Sequence, residues 1–124
     1  MGRLARSRVT WLWLLAPVVA VLCAWGLDRV EVVGTSMSPT FRHGDRLLLV
    51  RRLRRLRVGD LVAFDDPRGT GRRLVKRVQA VQGDRVDVVG DNPTSSTDSR
   101  DFGPVCSNAV RHLVARRYAL GVEP

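Results

Sequence analysis

The side chains able to do covalent chemistry lie in three short segments. The first, Gly34-Thr-Ser-Met-Ser-Pro-Thr40, holds Ser36 in a turn of small residues that exposes its hydroxyl. A hydroxyl is a weak nucleophile until a neighbouring base removes its proton. His43 sits in the turn His43-Gly44-Asp45 and His112 flanks an arginine-bearing strand, and neither has an acidic partner arranged as in a Ser/His mechanism. Lys76 is the only lysine in the chain and interrupts the apolar stretch Leu74-Val75-Lys76-Arg77-Val78. Strand alternation puts Leu74, Lys76 and Val78 on one face. Burial of that face would strip the ammonium of water and favour the neutral amine, which could deprotonate Ser36. Arginine could not do this at neutral pH. The competing readings are an ordinary structural turn for Ser36 and an exposed strand position for Lys76.

The third segment runs from Gly90 to Gly103 and is rich in hydroxyls and punctuation. Either it is a flexible linker, or Asp98 and Arg100 pair to stiffen it and one of its serines orients the lysine amine. Cys23 and Cys106 belong to no Cys-x-x-Cys or Cys/His cluster, so metal and redox chemistry have no support, and no cofactor is expected.

The elements that must position these groups read as strands. Short β-branched and leucine-rich stretches alternate with Gly-Asp and Asn-Pro turn signals. Strands are expected at Val30 to Val33, Arg46 to Val50, Asp60 to Phe64, Arg73 to Val81, Arg85 to Val89 and Arg111 to Tyr118. Ahead of them, an uncharged run from Trp11 to Leu27 with tryptophans at both ends follows Arg3, Arg6 and Arg8. This pattern predicts a membrane span, kinked at Pro17, with its basic flank in the cytoplasm and the rest of the chain on the other side. The expected organisation is therefore a basic flank at 1–10, an anchor at 11–27 and a β domain at 28–124. A cleavable signal peptide is the alternative for the apolar run.

With Lys+Arg 21 against Asp+Glu 12, the formal charge is +9. Membrane lipid is a better partner for it than nucleic acid, since no nucleic-acid-binding motif accompanies the charge and the aromatic residues gather near the N-terminus. The basic stretch Arg51 to Arg57 reads as a solvated loop or as a contact to lipid headgroups.

Taken in order, four groups of residues resemble the signal peptidase I family of Ser/Lys-dyad serine proteases, over roughly Val30 to Val105. They are Gly34 to Thr40; Gly44-Asp45 with Gly59-Asp60-Leu-Val-Ala-Phe64; Lys76-Arg77-Val78 with Gly83-Asp84; and Gly90-Asp-Asn with Ser96-x-Asp-Ser-Arg100-x-x-Gly103-x-Val105. The resemblance implies a mainly β, compact antiparallel fold preceded by one N-terminal transmembrane helix. It also implies Ser36 as nucleophile, Lys76 as general base and Ser96 as hydrogen-bond partner of the lysine. Arg77, Asp91, Asp98 and Arg100 would be scaffold, and Met37 and Val75 would border pockets for small residues of a preprotein substrate. Cleavage would follow an Ala-x-Ala pattern. Gly34 departs from the serine that many bacterial members carry to help form the oxyanion hole, as related mitochondrial peptidases also do, leaving the Ser36 N–H as main donor. The loop after Gly90 is also similar to nickel-superoxide-dismutase maturation proteases, which trim one dedicated leader. A non-catalytic, membrane-tethered basic module is the reading from another class.

Overall fold

The computed structural model describes residues 13–21 and 26–121. Residues 13–21 are helical (α1) and exposed throughout. Among the described residues no helix is long and apolar enough to cross a membrane. Residues 11–12 and 22–25 of the expected span, including Cys23, and the whole basic flank lie outside the described residues.

Seven strands follow: β1 Asp28–Glu31, β2 Arg46–Arg51, β3 Leu61–Asp65, β4 Arg73–Gln82, β5 Arg85–Val89, β6 Val105–Cys106 and β7 His112–Ala119. They form one sheet in the order β1-β2-β7-β3-β4-β5-β6, with every pair antiparallel. The expected strands fall within a residue or two of these bounds. The two-residue β6, the short helix α2, Ser99–Phe102, and the 3-10 turns Pro93–Ser95 and Ser107–Ala109 had no counterpart, because each is too short to carry a periodic signal.

Alternation along β3 and β4 builds two cores, one on each face. Val62, Phe64, Leu74 and Val78 join Leu56, Val86, Val88, Val105 and Val110 on one side. Ala63, Leu61 and Val75 join Val32, Met37, Phe41, Leu47 and Leu49 on the other. Central strands apolar on both faces lose more water-exposed area than a one-sided sheet would.

The pairing leaves one gap. β1 is the terminal strand of the sheet, and β4 pairs with β5 only from Arg77 onward. The first half of β4 therefore has a free edge, as β1 does. The sheet curls until these edges face one another across a groove of about 360 Å³ lined by residues 30–33, 36–37 and 72–76. Following the antiparallel pairings round the sheet makes β1 and β4 parallel across it. Asp28 and Arg73 bridge the far end at 2.6 Å, and Ser36 and Lys76 line the near end.

Candidate active site

Ser36 sits in the turn that leaves β1. Burial of Met37, 1% exposed, pins that turn into the second core, and hydrogen bonds from Ser38 N to Thr35 O (3.1 Å) and Phe41 N to Met37 O (2.9 Å) close it. The Ser38–Pro39 peptide is cis. At the base of the turn, Gly34 has φ +87° and its N–H donates to His43 Nδ1 at 2.9 Å. That hydrogen bond commits both groups: His43 faces Gly34, and the Gly34 amide is already bonded. Among the described residues the Ser36 N–H has no acceptor.

Lys76 is 3% exposed. Its Nζ donates to Ser96 Oγ at 3.1 Å, and Ser96 in turn donates its single proton to Asp98 Oδ2 at 2.7 Å. The direction is forced, because an ionised carboxylate only accepts. Lys76 thus has a neutral hydroxyl and no carboxylate in direct contact. Burial lowers its pKa and outweighs the upward pull of Asp98, and the positive charges of Arg68 and Arg100 push the same way as burial.

Asp98 is the hub beneath. It is fully buried and accepts from Gly90 N (3.0 Å), Ser96 Oγ, and Arg100 through its N (3.1 Å), Nε and Nη2 (both 2.9 Å). Burial opposes its ionisation, but the hydrogen bonds of Arg100, Ser96 and the Gly90 amide prevail and hold its pKa below the ordinary carboxylate range. Asp98 also caps α2 in a reciprocal capping box with Asp101.

A second tie links the serine turn to β4 and to the loop after β5. Asp91 accepts from Arg77 Nε and Nη2, both at 2.9 Å, and from Thr40 Oγ1 at 2.5 Å. Hydrogen bonds from Asn92 N to Ser36 O (2.8 Å) and Asn92 Nδ2 to Thr35 O (3.0 Å) complete it. Met37 and Val75 both line the groove beside Ser36 and Lys76. Of the site residues expected from the sequence, Ser36, Met37, Val75 and Lys76 line this groove; Ser96 and Asp98 are tied to Lys76 by hydrogen bonds, Arg100 and Arg77 pair with Asp98 and Asp91, and the Gly34 amide is turned to His43.

Gly90 is the residue that sequence reasoning missed. A Cβ there would stand 2.2 Å from Ser96 Oγ, 2.5 Å from Ser96 Cβ and 2.6 Å from Ser36 O. The serine turn and the Ser96 loop converge on its bare Cα. Its position at a strand end hinted at a turn, but the approach of two loops distant in sequence leaves no local signature. Among the described residues no group of His, Cys, Asp or Glu could hold a metal.

Ser36 and Lys76 thus line the same end of one groove, and the buried Lys76 amine is held from behind by the Ser96 hydroxyl and, through it, the Asp98 carboxylate. The chain belongs to the signal peptidase family, peptidase S26, which matches residues 5–91. Among its relatives, the mitochondrial ATP-independent inner membrane protease subunit 1a of Arabidopsis thaliana is 32% identical over 105 residues, covering 64% of this chain and 62% of that protein. The mitochondrial inner membrane protease subunit 1 of Xenopus tropicalis is 31% identical over 107 residues, covering 68% and 64%. Subunit 1 of Schizosaccharomyces pombe is 29% identical over 107 residues, covering 68% of each chain. The chain thus spans less than two thirds of the length of the first two.

Proposed function

We propose that the protein is a membrane-anchored serine endopeptidase that removes signal peptides from exported preproteins, with Ser36 as nucleophile and Lys76 as general base. The observation that carries this reading is the buried Lys76, whose amine contacts only a neutral hydroxyl within reach of the groove that Ser36 lines.

In the proposed reaction an extended substrate lies between β1 and β4 and hydrogen-bonds to both free edges, completing the sheet. Val30, Val32, Met37 and Val75 shape the apolar floor for small side chains such as alanine. Neutral Lys76 takes the Ser36 proton as Oγ attacks the scissile carbonyl, and the Ser36 N–H donates to the developing oxyanion. The lysinium then protonates the leaving amine, and the Ser36 ester is hydrolysed by a water that Lys76 deprotonates. Ser96 accepts one Lys76 N–H throughout, which turns the nitrogen lone pair away from Asp98.

Residues 11–27 are proposed as the anchor, residues 1–10 as its cytoplasmic flank and residues 28–124 as the extracytoplasmic catalytic domain. The exposed apolar side chains Trp13, Leu14, Leu15, Val18, Val19 and Val21 support the anchor. A test is incubation of the purified protein with a preprotein carrying Ala-x-Ala before the cut. Cleavage is expected there, with loss in Ser36→Ala and in Lys76→Ala; cleavage that survives both substitutions sinks the proposal. Whether it serves many precursors or one dedicated leader is read by depleting the protein and sequencing the N-termini of exported proteins.

A further inference from the structure

A second depression lies away from the groove, walled by Gly26, Arg51, Arg52, Asn108, Val110, Arg111 and His112. Its construction is specific. Arg52 is a structural arginine: Nε donates to Val110 O (2.8 Å), Nη2 to Ser107 O (2.9 Å) and Nη1 to Arg54 O (2.7 Å), while its backbone N donates to Arg111 O (2.7 Å). Those bonds lock the end of β2 to the turn before β7 and fix the wall. Arg51 and Arg111 are different. Both are exposed, and neither has an acidic partner among the described residues. Arg51 stands opposite His112 in the β2–β7 register, and no carboxylate lines the depression.

Its location says what would fill it. Gly26 packs against the Arg51 side chain, where an added Cβ would stand 3.3 Å from Arg51 Cβ. Gly26 lies five residues after the apolar helix α1 and two before β1, at the domain end of the proposed anchor. Two guanidinium groups without carboxylates, beside the point where an apolar segment joins the domain, suit a phosphodiester at a membrane surface. We propose that Arg51 and Arg111, with His112 at the back, bind the phosphate of an anionic phospholipid and so hold the Asp28/Arg73 end of the groove against the membrane. This inference rests on the anchor reading above. It also narrows the expectation for the Arg51 to Arg57 stretch, since only its first two residues line this pocket, Arg52 is held by main-chain carbonyls, and Arg54 is paired with Asp60 at 2.9 Å.

His112 supplies the probe. Burial and the charges of Arg73, Arg51 and Arg111 lower its pKa, Asp28 opposes them, and Asp65 borders the adjacent depression. A phosphate between the guanidinium groups must raise it. The isotope-labelled full chain is placed in nanodiscs of phosphatidylcholine alone, or with phosphatidylglycerol, and the two histidines are titrated by NMR with His43 as internal reference. The expected result is an upward move of His112 by about half a pH unit or more in the anionic discs. The move is expected to vanish in Arg51→Gln/Arg111→Gln and to survive in Arg55→Gln/Arg57→Gln, which removes the same charge elsewhere. No dependence on lipid charge, equal loss in both double variants, or a response only to inorganic phosphate added to neutral discs would each overturn it. Flotation of the full chain with phosphatidylcholine vesicles separates the two readings. If the chain floats and His112 ignores lipid charge, only the headgroup site fails; if it does not float, the anchor fails and the headgroup site with it.

Discussion

The molecule contains the same polar module twice. In Asp66-Pro-Arg68 and in Asp98-Ser-Arg100, the arginine two residues on donates through its backbone N and Nε to Oδ1 and through Nη2 to Oδ2. A nearby hydroxyl completes each one: Thr70 Oγ1 and Ser96 Oγ both donate to Oδ2 at 2.7 Å. Both carboxylates are therefore held below the ordinary aspartate range. The difference lies in what the hydroxyl oxygen accepts. Thr70 accepts weakly from its own hairpin, the N of Arg72 at 3.4 Å, whereas Ser96 accepts from buried Lys76. One module shapes a turn, and the other orients an amine. A hydrogen-bonded Asp–Arg pair is thus no mark of a functional site until a third group depends on it.

Substitutions can break that comparison at several strengths. The largest effect is expected at the amine itself. Lys76→Arg keeps a long basic side chain but cannot shed its proton, so preprotein cleavage should fall by about 10⁴-fold or more, as should cleavage by Ser36→Ala, which leaves circular dichroism unchanged. Gly90→Ala comes next: its Cβ collides with Ser96 and with Ser36 O, so activity should fall by about 10²-fold or more together with thermal stability. Gly69→Ala, in the Asp66 hairpin, meets no atom within 4 Å and at φ +75° should cost only about 1 kcal/mol of stability, with no change in rate.

Asp98→Asn against Asp66→Asn tests the modules directly. The Asp98 charge raises the Lys76 pKa, so its removal should move the acidic limb of the kcat/KM profile to lower pH, while Asp66→Asn leaves the limb in place. Both aspartates have depressed folded values. Both therefore contribute stability present above the ordinary aspartate value of 3.8 and lost as pH falls, and either substitution should flatten acid unfolding. Ser96→Ala should lower kcat about 10- to 100-fold with KM little changed, whereas Thr70→Ala should cost about 1 kcal/mol of stability and leave kcat alone.

The smallest effect concerns stability alone. Lys76 has a lowered folded pKa, so between that value and the usual lysine value of 10.5 the unfolded chain binds the extra proton, and stability rises with pH across that window. Lys76→Met should therefore be more stable than the wild type at neutral pH, with the advantage shrinking as pH climbs towards 10.5. Thermal melts at several pH values check it.

Much of this was legible in the sequence because the strands are strongly alternating and their turns carry glycine. The β5 bounds, Arg85 and Val89, were read to the residue. Lys76 stood out by its solitude among arginines, whereas Ser36 sat in an ordinary-looking turn and drew notice only beside a candidate base; the structure puts both on one groove. What could not be read was convergence. Gly90 matters because two loops meet over it, His43 because its Nδ1 reaches back to Gly34, and Asp66 because its twin lies 32 residues away in a different hairpin. None of these relations has a period or a local composition. The Asp98–Arg100 pair was read as a stiffener for its loop, and the Ser96 link that sets it apart from Asp66–Arg68 spans 20 residues to Lys76.

The gap between β1 and the first half of β4 has a consequence for which polypeptides can enter. Each wall offers main-chain groups spaced for an extended partner, and a helix has already turned its own amides and carbonyls inward. On the proposed function, a precursor would have to uncoil over the stretch that lies between Asp28/Arg73 and Ser36/Lys76. Segments already locked in a folded domain would be refused whatever their side chains. The open seam would act as a filter on conformation, which would protect mature proteins carrying an accidental Ala-x-Ala from being cut.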